Sequence, residues 1–131
     1  MKALIGMADV EMKDETTVSS AQQSIETAST NATSADQKES VGEAYARLGI
    51  QYYKYKGFDK AIEVLESAQK NLSAKSAYQI NVDKVMAQTY LQLKKYDKAD
   101  EYCKKALAID PKDEDAKKIV DFLKQVKGKK Q

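Results

Sequence analysis

"RLGIQYYKYKGFDKAIEVLESA", Arg47 to Ala68, reads as two helical patterns joined at a glycine. Leu48 and Tyr52 lie four residues apart on one stripe, and Val41 extends that stripe toward the N-terminus, the spacing of an amphipathic helix. Gly49 sits inside the apolar face. Glycine in a helix interior costs roughly 1 kcal/mol against alanine, so its presence predicts that a second helix approaches closely, with the small face at Ala61 as the expected neighbour. Gly57 is expected to end the first helix, where a left-handed backbone is convenient, and Asp59 to cap the second.

The same pattern returns downstream. "YARLGIQYYKYKGFDKAIEVLESA" (45–68) and "DKVMAQTYLQLKKYDKADEYCKKA" (83–106) align without a gap, at a period of 38 residues. Shared positions include Leu48 with Met86, Gly49 with Ala87, Tyr52 with Tyr90, Phe58 with Tyr96, Asp59 with Asp97, Ala61 with Ala99 and Ala68 with Ala106. In the second copy Val82, Met86, Tyr90 and Leu93 continue the first-helix stripe, Ala87 and Ala99 are the expected close-packed pair, and Asp97 is the expected cap. Each copy predicts a helical hairpin, and a chain of such units is read from its repeats first.

Flanking segments extend the row. "VSSAQQSIETA" aligns with "FDKAIEVLESA", placing Val18, Ala21, Ile25 and Ala28 at the key positions. "ALIGMADVEM" then reads as the preceding helix, with Met7-Ala8 in the role of Leu48-Gly49 and one extra residue in the turn "KDETT". The alternative is a flexible leader, because 16–40 is dense in Ser and Thr. Ser34-Ala-Asp-Gln37 resembles a capping box that starts the next long helix. After Pro111, "EDAKKIVDFLKQVK" places Ala116, Ile119, Val120, Leu123 and Val126 on one face, as a closing helix requires.

Composition narrows the chemistry. The 131 residues include one proline and five glycines, which favours helix almost throughout. There is no histidine, which removes the commonest general base and zinc ligand together. No paired acid and base, phosphate-cradling glycine loop or convincing nucleophile stands out, so neither an enzyme nor a metal or other cofactor is expected. Cys103 is the only cysteine, which excludes an intrachain disulfide; a core role is expected for it. The longest apolar run, "ALIGMA", stops at Asp9, too short to span a membrane. A cytoplasmic chain is therefore expected. Net charge is +2, with 3 basic and 7 acidic groups in 1–41 against 13 and 9 in 80–131. The end "KQVKGKKQ" reads as a solubilising tail, with nucleic-acid contact as a weaker reading.

The motif residues resemble the tetratricopeptide repeat (TPR), a pattern of aromatic, Leu-Gly, Tyr, Ala, aromatic, Ala and Pro over about 34 residues. Tyr45, Leu48, Gly49, Tyr52, Phe58, Ala61, Leu65 and Ala68 fit one copy; Met86, Ala87, Tyr90, Tyr96, Ala99, Ala106 and Pro111 fit the next. Asp83 in place of a large aromatic, Ser73 in place of proline, and Cys103 in place of a second-helix aromatic depart from it, and "NLSAKSAYQI" carries the residues that lengthen the period. The resemblance implies an all-α superhelix: a single domain over 1–127, with a degenerate repeat (1–34), two clear repeats (35–79 and 80–113), a capping helix (114–127) and a basic tail (128–131).

It also implies a non-enzymatic adaptor whose first helices line a groove for a peptide segment or a partner subunit. By register the groove-facing residues are Ile50, Tyr53 and Lys54, then Lys84, Gln88 and Leu91, with Phe122 of the last helix beside them. The competing reading is that these side chains cover the helices locally. Chaperone adaptors of the family clamp a C-terminal carboxylate with lysine and asparagine; the matching positions here are Ala46, Ile50 and Val85, which offer no donor. A partner segment with two or three hydrophobic anchors suits such a groove better. The alternative function is a structural or regulatory segment of a larger protein that self-associates through its uncapped N-terminal end.

Overall fold

The computed structural model describes residues 2–11 and 17–129, with side chains at 4–8 and 17–126. Among the described residues the chain is all-α, with seven helices and no strand: α1 (Lys2–Glu11), α2 (Val18–Asn31), α3 (Ala35–Lys54), α4 (Phe58–Asn71), α5 (Tyr78–Gln92), α6 (Tyr96–Ile109) and α7 (Glu114–Lys129). Most of the turn "KDETT" and the last two residues lie outside the described residues. Helix α7 runs to Lys129, two residues into the stretch expected to be tail. The helices group into two compact units, Met1–Tyr78 and Gln79–Gln131.

In the first unit α1 packs on α2, α2 on α3 and α3 on α4. The positions singled out in α2, Val18, Ala21, Ile25 and Ala28, are all buried, so the Ser/Thr-rich segment is helical because four apolar groups share one face. Two tyrosines of α3 fasten it to α2: the Tyr52 hydroxyl donates to Gln22 Oε1 at 2.6 Å, and that of Tyr45 is hydrogen-bonded to Ser29. One expectation for α1 is corrected. Ala8 is fully buried as its role requires, but Met7 is 56% exposed and does not do what Leu48 does.

Helix α3 starts as its sequence predicts. The Ser34 hydroxyl accepts from Gln37 N–H at 3.1 Å, while Gln37 Oε1 accepts from the Ser34 backbone N–H, closing a capping box. Gly49 lies against α4 as expected, but the group nearest to it is Leu65 and not Ala61: a methyl group built on Gly49 would run into the Leu65 side chain. Gly42, passed over by the sequence reading, has the same role further down, where an added Cβ would stand 2.9 Å from the Leu72 backbone nitrogen. Ser73 also gains a physical reason. Its backbone N–H donates to Glu39 Oε2 at 2.7 Å, a bond the usual proline has no hydrogen to make.

The turn inside each clear hairpin departs from expectation in the same way. Gly57 has an ordinary φ of −84°, and the left-handed residues are Lys56 (φ 64°) and Lys94 (φ 59°), one repeat apart. Around them Gly57 N–H donates to the Tyr52 carbonyl and Lys56 N–H to that of Tyr53; Lys95 to Tyr90 and Lys94 to Leu91 repeat the arrangement. This is the Schellman closure of a helix, made here without glycine. Asp59 and Asp97 do not cap the next helices: Gly57 and Lys95 occupy the cap positions with no side-chain bond. The carboxylates instead lie in the first turn, where they favour the positive end of the helix dipole. A left-handed lysine costs about 1–2 kcal/mol, partly offset by the extra freedom glycine would have in the unfolded chain. Lys56→Gly and Lys94→Gly are each expected to stabilise the fold by about 0.5–1 kcal/mol. The check is the urea midpoint; a fall in both variants would show that the turns hold no strain.

In the second unit the ring of Tyr90 on α5 stacks on Tyr102 of α6, with centroids 5.7 Å apart and planes 20° from parallel. Ala99, Tyr102, Cys103 and Ala106 bury the inner face of α6. Helix α7 packs on α6 and buries Ala116, Ile119 and Leu123, three of the five residues assigned to its apolar stripe, while Val120 and Val126 are half-buried. Asp83, which replaces the Tyr45 of the first copy, is buried at 4% exposure.

Candidate functional site

In the first unit the site residues share α3. Ile50 and Tyr53 are half-buried and Lys54 is exposed at the end of the helix. They fall between the buried stripe of Leu48 and Tyr52 and the solvent face, a border where an apolar side chain is not required by the hairpin core. Tyr53 is partly engaged at home: its ring meets Phe58 of α4 at 5.7 Å and 59°, the tilted geometry that ring quadrupoles favour. Behind it the buried Tyr52 has its hydroxyl pKa raised, by burial first and then by Glu63 and Glu26.

In the second unit Gln88 and Leu91 are half-buried on α5, and Phe122 on α7 is 48% exposed. Lys84 is the residue whose surroundings the sequence did not disclose. Its ammonium donates to Asp113 Oδ1 at 3.1 Å and to Asp115 Oδ2 at 3.3 Å. Burial alone would lower the lysine pKa, but the two hydrogen-bonded carboxylates outweigh it and the net shift is upward. Asp113 also accepts from the Ala116 backbone N–H at 2.9 Å, which makes it the cap of α7. That backbone bond comes first in lowering its pKa, ahead of Lys84. A signal existed: Asp three residues ahead of Ala116 and just after Pro111 is a helix-start pattern. The contact with Lys84, some thirty residues away, left no local trace.

The positions where a carboxylate clamp would need donors remain apolar, with Ala46 1% exposed and Ile50 and Val85 half-buried. Cys103 is fully buried, and burial, with a contribution from Asp100, pushes its thiol up to about 11. At neutral pH it carries almost no thiolate, the form that acts as nucleophile or metal ligand. No helix among the described residues is long and apolar enough to cross a membrane.

No curated protein matches the sequence. The family model for the tetratricopeptide repeat matches residues 84–113, which take in most of α5, the Lys94 turn, α6 and the Asp113 cap. Repeats of this kind serve in general as non-catalytic scaffolds for protein–protein interaction. That match covers one hairpin, and the same helix, left-handed turn and second helix stand 38 residues earlier, so residues 84–113 form a tetratricopeptide repeat and residues 46–75 repeat its architecture.

Proposed function

We propose that this protein is a non-enzymatic adaptor that holds a peptide segment or a partner subunit against the groove-lining faces of its first helices. The observation that carries the reading is the placement of apolar groups beyond what the hairpin cores use: Ile50 and Tyr53 on α3, Leu91 on α5 and Phe122 on α7, none of them buried. Lys54 and Gln88 add polar contacts at the edges. Desolvating two or three such anchors supplies most of the energy of a groove-type contact, and hot spots of this kind are commonly aromatic. The buried thiol of Cys103, kept protonated, supports a scaffold in preference to a catalyst.

Tyr53→Ala and Leu91→Ala together are expected to weaken binding of a partner recovered by affinity purification at least tenfold, since each anchor contributes on the order of 1–2 kcal/mol. Helical content, followed by circular dichroism, stays at the wild-type level. Binding unchanged in this double variant counts against these faces as the site.

A further inference from the structure

Lys84 sits at a partner-facing position by register, yet both carboxylates within its reach belong to the same unit. The pairing joins the middle of α5 to the first turn of α7. Helix α6 lies between α5 and α7 in sequence and reverses the chain at 93–95 and again at 110–113, so α5 and α7 run in the same direction. Leu91 follows Lys84 by seven residues, and Phe122 follows Asp115 by seven. Seven residues are about two turns and advance about 10 Å, so each apolar residue repeats the facing of its charged predecessor, one step along the same pair of helices.

We infer that Lys84 is a positioning residue: its ammonium ties α5 to α7 through Asp113 and Asp115 and thereby sets the spacing at which Leu91 and Phe122 receive an apolar segment. The inference rests on the reading of Leu91 and Phe122 as partner anchors. Its chemistry is that of a partly shielded, hydrogen-bonded ion pair. The lysine is 18% exposed and Asp113 14%, whereas Asp115 is 62% exposed, so the Asp113 bond is the sheltered one and Asp115 the outer clasp. Because Asp113 also caps α7, a single carboxylate fixes both where that helix begins and how far it stands from α5. Lys84 is at the same time withdrawn from anion recognition, with two carboxylates opposing its one charge. The stretch of partner that passes it is therefore not acidic.

The test uses the full chain with Leu91→Cys and Phe122→Cys carrying nitroxide labels; Cys103, buried and protonated, does not take the label. Pulsed electron-spin resonance is expected to give one narrow inter-label distance distribution. Lys84→Met should at least double its width, Asp115→Asn, which leaves the sheltered Asp113 bond in place, should broaden it by less, and Lys84→Arg, which keeps a charged donor, should retain the narrow form. Asp115→Asn leaves the Asp113 cap intact and decides alone if Lys84→Met unfolds the unit. A width unchanged by Asp115→Asn, or by a folded Lys84→Met, overturns the tie. A Lys84→Arg chain as broad as Lys84→Met overturns it too, by assigning the effect to lost packing. The labelled chain is measured without partner, so a failure here and a failure of partner binding in the Tyr53/Leu91 variant are separate results.

Discussion

Leu65→Ala is expected to destabilise the protein by about 3 kcal/mol, and adding Gly49→Ala to that variant is expected to recover part of the loss. Leu65 is fully buried, and large-to-alanine changes in such places cost about 2–5 kcal/mol through lost transfer energy and the cavity left behind. Gly49→Ala alone forces its new methyl into the Leu65 side chain. Overpacking of this kind costs about 1–3 kcal/mol, only partly offset by the roughly 1 kcal/mol that alanine gains in helix propensity. In the double variant the methyl enters the space that Leu65 vacated and the propensity gain is no longer opposed. The two changes should therefore couple by at least about 1 kcal/mol, as neighbours that share a cavity do. The second repeat already carries a related exchange: Ala87 stands at the Gly49 position and the smaller Cys103 at the Leu65 position, both fully buried. Urea unfolding of the four chains followed by circular dichroism measures the coupling. Simple additivity would show that Gly49 and Leu65 do not share the space assigned to them.

On the alkaline side, stability is expected to drop steeply between about pH 9 and 11. Folding raises the Cys103 thiol pKa from 9.0 to about 11 because the buried site disfavours the thiolate. A group whose folded pKa is raised contributes its full stability below the unfolded value and loses it as pH climbs to the folded one. Two pKa units correspond to about 3 kcal/mol. Tyr45 and Tyr52 add to the same trend above pH 10.0, since burial raises both; for Tyr45 the Ser29 hydrogen bond opposes the shift without reversing it. Lys84 contributes above 10.5, where loss of its proton ends the pairing with Asp113 and Asp115. Asp113 behaves in the opposite sense: its lowered pKa gives stability that is present above 3.8 and fades as pH falls below it. Cys103→Ala removes the thiol and leaves the tyrosines and Lys84 in place. It should lower stability at pH 8, by opening a small cavity, yet lose less between pH 8 and 11 than the wild type. Parallel pH profiles for the two chains would remove the thiol from the explanation.

The capping box at Ser34, the buried stripe of α2 and the core of both clear hairpins were legible because their signals are local: a hydrogen bond three residues away, or apolar groups recurring every three or four. Gly49 was legible in part. A glycine inside an apolar face announced a close neighbour, but Ala61 and Leu65 lie one turn apart on the same face of α4, and periodicity does not tell which of them points at it. Gly57 misled for a related reason. Glycine is the usual left-handed residue, and the Lys94 turn, which manages without one, was the clue that the residue before it carries the strain.

Of the candidate site, the helices that carry each residue were readable, whereas the company each one keeps was not. Tyr53 leans on Phe58, and Lys84 is claimed by Asp113 and Asp115; the second of these contacts spans about thirty residues. By itself the sequence determined that the chain is helical, where its hairpins turn and which small residues repeat, since these follow from backbone propensity and a periodicity of 3.6. Only the tertiary structure decided that Leu65 fills the space beside Gly49, that Ser73 gives its N–H to Glu39 and that Lys84 spends its charge inside the protein. Those outcomes depend on the rotation and spacing of packed helices, and a shift of an ångström or two selects a different partner without altering the periodic pattern.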